Sequence, residues 1–117
     1  MEITIFKDIK DTSQPFYRDV SIVLTRIQEG SSKEVVKKIR GEKDKTIRNL
    51  LKQTLPAICF SGKFTKRNDA SLTTHSGLIC LDFDGYKKKK DLLEDKQRFE
   101  KNKLPFINIK KAGYARF

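Results

Sequence analysis

The sequence predicts an α+β domain, with a small mixed or mostly antiparallel sheet and helices packed mainly on one face. Three observations point there. Apolar residues recur at helical spacing three times between Val20 and Leu55. Strand-like apolar runs are short and scattered, at Ile3–Phe6, Ala57–Phe60 and Gly77–Asp84. A length of 117 residues leaves room for one domain and little more.

Ile3, Ile5 and Phe6 suggest a short first strand. Lys10 to Pro15 is polar and turn-like, and Pro15 breaks any helix. Val20, Val23, Leu24 and Ile27 then lie on one helical face, with Gly30 placed to end the helix. Ser31-Ser32-Lys33-Glu34 matches a capping box, which opens a second helix with Val35, Val36 and Ile39 inward and Gly41 at its end. Asp44 can cap a third helix, whose apolar stripe is Ile47, Leu50, Leu51 and Leu55 before Pro56 stops it. Ala57 to Phe60 reads as a short buried strand, followed by Ser61-Gly62; Lys63 to Thr74 reads as a polar, basic loop or hairpin crossing. Gly77 to Asp84 is expected to be the central strand. Lys87 to Lys103 reads as a helix with a thin apolar face of Leu92, Leu93 and Phe99. Pro105 breaks it, and Phe106 to Ile109 can form a last strand.

One domain is expected over 1–117, with a basic segment at 87–117. Hydrophobic residues make up 37% of the chain and charged residues 35%, which implies a modest core under a charged surface. The net charge is +11 and uneven: residues 1–84 hold 15 Lys/Arg against 11 Asp/Glu, and residues 85–117 hold 11 against 4. A polyanion is the partner this implies, with nucleic acid the commonest; a solvated surface that keeps the chain soluble is the other reading. No apolar run approaches a membrane span, no basic helix shows a strong apolar face, and the N-terminus lacks the build of a signal peptide. Cys59 and Cys80 lie in apolar runs and read as reduced core residues of a cytoplasmic protein, with a disulfide as the alternative.

The most informative stretch is Gly-Leu-Ile-Cys-Leu-Asp-Phe-Asp-Gly, residues 77–85. In a strand, Ile79, Leu81 and Phe83 point one way and Leu78, Cys80, Asp82 and Asp84 the other. Asp82 and Asp84 would then stand roughly 6.5–7 Å apart at the strand's exit, close enough to share a divalent cation. The alternative is a pair of acids that cap the next helix or pair with Lys87–Lys90.

Leu55-Pro56-Ala57-Ile58-Cys59-Phe60-Ser61-Gly62-Lys63-Phe64, then Arg67, then His75-Ser76-Gly77 and the Asp82-Phe83-Asp84 run, resembles the N-terminal domain of VirE-type proteins. That domain is found in phages and mobile elements and is similar to the archaeo-eukaryotic primase-polymerase superfamily. The resemblance spans about residues 20–103. It implies that Asp82 and Asp84 are catalytic and hold Mg²⁺ or Mn²⁺ weakly at a nucleoside triphosphate. It also implies DNA as partner, a replication role beside a helicase-like partner or downstream domain, and a bacterial cytoplasmic setting. After Pro105 the chain departs from the family, with no Ser-Gly loop and no carboxylate beyond Glu100. The expectation is therefore a C-terminally truncated nucleotidyltransferase remnant with little or no turnover alone.

Ser61, Lys63 and Arg67 form a small-residue turn with cations that can cradle phosphate, or an ordinary exposed turn. Lys87 and Lys88 can track a nucleic-acid backbone, and Tyr86 can stack on a base; a solvated helix face is the plainer reading. His75 lies roughly 20 Å from Asp82 along an extended strand and reads as structural. Two other functions compete. One is a phosphohydrolase of the haloacid-dehalogenase type, since an apolar strand ending in Asp-x-Asp-Gly also resembles that family's first motif, with Asp82 as nucleophile. The other is a non-catalytic basic module for nucleic-acid binding or interaction.

Overall fold

The computed structural model describes residues 1–82 and 84–102. They fall into two compact units, Met1–Cys80 and a second that starts at Leu81. The first unit runs β1 (Glu2–Phe6), β2 (Phe16–Asp19), α1 (Val20–Glu29), α2 (Lys33–Gly41), α3 (Lys45–Lys52), β3 (Ala57–Cys59), β4 (Gly62–Phe64), a 3-10 turn (Asp69–Ser71) and β5 (Leu72–His75). Strands β2, β1 and β3 form one antiparallel sheet in that order, and β4 and β5 form a separate antiparallel hairpin. The second unit holds α4 (Lys89–Glu100). The expected α+β class with small antiparallel sheets is what the chain adopts.

Strand β1 is central because both of its faces are apolar or hydrogen-bonded. Ile3 and Ile5 point to one side and pack with Val23 of α1, with Val20, Ile27, Ile58 and Phe60 around them. Ile5 lies opposite Ile58 in the ladder, so the two share that face. Thr4 and Phe6 point to the other side, and both are fully buried. Each buried aliphatic or aromatic side chain contributes about 1.5–3 kcal/mol.

Thr4 is the polar member of this core. Its hydroxyl donates to the Gly62 carbonyl at 2.8 Å and accepts from the Phe64 amide at 2.9 Å. One side chain thereby joins β4 to a sheet that β4 does not enter. Gly62 lets β4 lie close against β5: its φ is +151°, and a Cβ there would stand 2.0 Å from the Thr74 carbonyl oxygen. Tyr17 of β2 adds a second strap, donating its hydroxyl to the Phe64 carbonyl at 3.0 Å.

The helix ends follow their caps. The Asp19 side chain accepts from the Ser21 amide, and Gly30 closes α1 at φ 75°. Asp44 caps α3 through the Ile47 amide at 3.0 Å. The capping box at 31–34 does not form: Ser32 takes the cap position, one residue later, and makes no side-chain cap bond. Strand β2 was not anticipated. Its exposed edge position gives it no apolar alternation, and it runs directly into α1. None of the helices in the described residues is long and apolar enough to cross a membrane.

The expected central strand at 77–84 is corrected. Residues 78–82 and 84 join neither sheet. Ile79 is 80% exposed and Leu81 53%, the reverse of a buried strand. Gly77 and Gly85 bend the chain at both ends of the run, at φ 81° and 76°. Cys80 is exposed and Cys59 only half-buried, so neither is the core residue expected; both are free thiols. The strand expected at 106–109 lies outside the described residues.

Replacing Thr4 with Val keeps the shape but leaves a buried carbonyl and amide unpaired. Thr4→Val should destabilise the chain by about 2–4 kcal/mol in chemical denaturation, while Thr4→Ser should recover most of that loss. Asp19 yields a pH prediction. The terminal ammonium of Met1, then the Ser21 hydroxyl and amide, hold its carboxyl far below the ordinary carboxylate range. Its contribution is complete above the unfolded value of 3.8 and is lost as pH falls below that through the folded value. Acid denaturation followed by circular dichroism should show this loss, and Asp19→Asn should shrink it.

Candidate functional site

Beside β3 and β4 the first unit opens a cleft of about 290 Å³. Ile58, Cys59 and Phe60 form one wall, Phe64 another, and Ser61 and Arg67 lie at its polar side. The structure therefore brings together two of the three members of the expected phosphate turn. It separates the third. Phe64 lines the cleft, so strand alternation turns Lys63 to the other face of β4. There Lys63 pairs with Glu2 at 2.9 Å and sits 4.7 Å from the centre of the Tyr17 ring. The hydrogen bond to Glu2 pushes its ammonium pKa up.

Arg67 is held by the neighbouring loop. Its guanidinium donates to the Ile9 carbonyl, its amide donates to the Thr12 carbonyl at 2.9 Å, and its Cζ lies 5.9 Å from the centre of the Phe6 ring. It fixes residues 9–12 against the hairpin. Within that loop the Gln14 amide chiefly, with those of Ser13 and Lys7 and the Arg67 charge, holds the Asp11 carboxyl below its usual range. Burial pushes the Cys59 thiol up, and nearby Arg67 offsets this only in part. A raised thiol pKa is the wrong direction for a nucleophile at neutral pH. Ser61 offers its carbonyl to the Ser76 amide at 2.8 Å. His75 ends β5, and its Nδ1 accepts from the Gly77 amide at 2.8 Å.

The second unit carries the remaining expected site residues. Asp82 and Asp84 are exposed, and Asp84 accepts the Gly85 amide at 2.7 Å. Among the described residues, no group of three or more His, Cys, Asp or Glu side chains could hold a metal ion. Tyr86 donates its hydroxyl to Asp95 at 2.6 Å, which pushes the phenol pKa up and ties residue 86 to α4. Lys87 and Lys88 are exposed just before the helix, and Lys88 is its N-cap. The sequence reading missed Thr4, whose only signal was one hydroxyl inside an apolar strand. It also missed Asp95, which nothing in the spacing links to Tyr86.

Residues 50–112 match the family described as BT4734-like, N-terminal domain. No curated protein and no solved structure matches the chain. The family match overturns the VirE-type, primase-polymerase-like resemblance, because the motifs that carried that resemblance, from Leu55 to Asp84, lie inside the segment matched to a different family. An Asp-x-Asp pair after an apolar run and a Ser-Gly turn are local patterns that unrelated folds supply.

If Arg67 is chiefly a loop clamp, Arg67→Gln should lower stability by about 1–2 kcal/mol, the worth of a charge-assisted hydrogen bond. It should also speed proteolysis within residues 9–12 and leave oligonucleotide affinity unchanged. A loss of affinity without loss of stability would return Arg67 to the phosphate role.

Proposed function

The chain belongs to the BT4734-like N-terminal domain family; for this member we propose a non-catalytic module that binds nucleic acid through its phosphate backbone. The observation that carries this reading is charge: a net +11 over the chain, with exposed clusters of lysine among the described residues. Residues 33–52 hold eight Lys/Arg against three Asp/Glu, and Lys33, Lys37, Lys38, Lys43 and Lys45 all reach solvent. Of the three acids there, Asp44 is occupied in capping α3. In the second unit Lys87, Lys88, Lys89 and Lys90 are consecutive and exposed at the start of α4. Positive side chains at a helix N-terminus oppose the helix dipole, and a phosphate placed there relieves that repulsion. Lys90 reaches Glu94 at 3.8 Å, too long and too exposed to neutralise the run.

The non-catalytic part rests on the chemistry of the described groups. Among the described residues Asp82 and Asp84 belong to no group of three or more potential metal ligands, and burial raises the cleft thiol rather than activating it. Backbone contacts by lysine confer affinity and salt dependence with little sequence preference.

Anisotropy of labelled single- and double-stranded oligonucleotides across a salt series tests this. Binding should weaken steeply with salt, and Lys87→Gln/Lys88→Gln/Lys89→Gln should reduce the log–log slope on duplex DNA by about 2–3. Asp82→Asn/Asp84→Asn and added chelator should leave affinity unchanged. A slope unaffected by the lysine triple variant, or binding that requires the two aspartates, would sink the proposal.

A further inference from the structure

Helix α3 is amphipathic, yet none of its residues is buried. Ile47 is 48% exposed and Leu50 56%, and their spacing of three sets them side by side on one helical face. Leu50 of this pair lines a cleft of about 350 Å³, together with Gln53 and Thr54 on its own side and Lys7, Asp8 and Lys10 on the other. Both lysines are exposed. Asp8 is turned into its own loop, where Oδ1 accepts the amides of Lys10 and Asp11. Helix α3 itself contains no acid. The cleft thus sets one aliphatic side chain, Leu50, beside two exposed cations, with Ile47 on the same helical face next to it.

We infer that this face docks an amphipathic helix of a partner protein, its leucine-like side chains on Ile47 and Leu50 and its carboxylates toward Lys7 and Lys10. Charge complementarity selects an acidic partner. The exposed Ile47–Leu50 pair selects a protein over nucleic acid, since bases stack on aromatic rings and gain little from isoleucine and leucine. The concave shape suits a protruding side chain, as in helix-in-groove recognition, better than a flat lipid surface. This surface lies on α3, within the basic run 33–52, but none of Lys7, Lys10, Ile47 and Leu50 is among the lysines assigned to nucleic acid there or at 87–89, so substitutions at these four positions separate the two readings.

The test uses the full chain and a labelled designed helical peptide with leucine at every third and fourth position and glutamate elsewhere. Saturable binding is expected, weakened about tenfold or more by Ile47→Ser/Leu50→Ser. Because both side chains are exposed, that variant should keep its circular dichroism spectrum and its oligonucleotide affinity. Lys7→Gln/Lys10→Gln should weaken the peptide complex and flatten its salt dependence, and a matching leucine–lysine peptide should not bind. Unchanged peptide affinity in the folded Ile47→Ser/Leu50→Ser variant overturns the inference. So does equal binding of the lysine peptide. It is also overturned if the same substitutions abolish only oligonucleotide binding, only adsorption to phosphatidylserine vesicles, or only self-association in sedimentation.

Discussion

A single buried hydroxyl sets the terms for the first unit. Thr4 sits among Ile3, Ile5 and Phe6 in the middle of β1, and its two hydrogen bonds run to backbone groups of β4, 58 and 60 residues away in sequence. Backbone polar groups buried without partners are costly, and here the sheet ladder cannot supply those partners because β4 belongs to a different sheet. The side chain does so instead. Around that junction the other features fall into place: Gly62 lets β5 lie close against β4, Tyr17 adds a strap from β2, and Phe64 lines the cleft.

The parts of the fold that depend on local chemistry were legible in the sequence. Helical spacing from Val20 to Ile27 with Gly30 after it, and Asp44 ahead of Ile47 and Leu50, specify where helices start and stop because caps and periodicity act within a few residues. The paired strands at Ile3–Phe6 and 57–59 were also visible. What escaped was set by distant partners. Strand β2 exists because β1 offers it a ladder, whereas residues 77–82 and 84 join neither sheet. Alternation and apolarity describe what a segment can do, whereas pairing decides what it does.

The candidate site shows the same division. Arg67 and Ser61 reach one cleft as expected, but Arg67 is engaged by the Ile9 carbonyl and Lys63 faces Glu2. Residue type foretold cations near a turn; it could not foretell that the first strand and the loop after it would bind them. Electrostatic surplus survives this accounting because it is spread over helices whose lysines point outward. Such surfaces act through number and ionic strength more than through any single geometry. A family assignment drawn from short motifs is exposed to the same weakness: the Asp-x-Asp pair is a pattern in sequence before it is a site in space.

Strand β1 pairs on one side with residues 16–19 and on the other with residues 57–59. On a ribosome, which delivers the chain from its N-terminus, the first ladder can close early and the second cannot. Until Gly62 and Phe64 emerge, the Thr4 hydroxyl must be satisfied by water. Closing that junction is therefore a long-range event that cannot precede synthesis of the chain's second half.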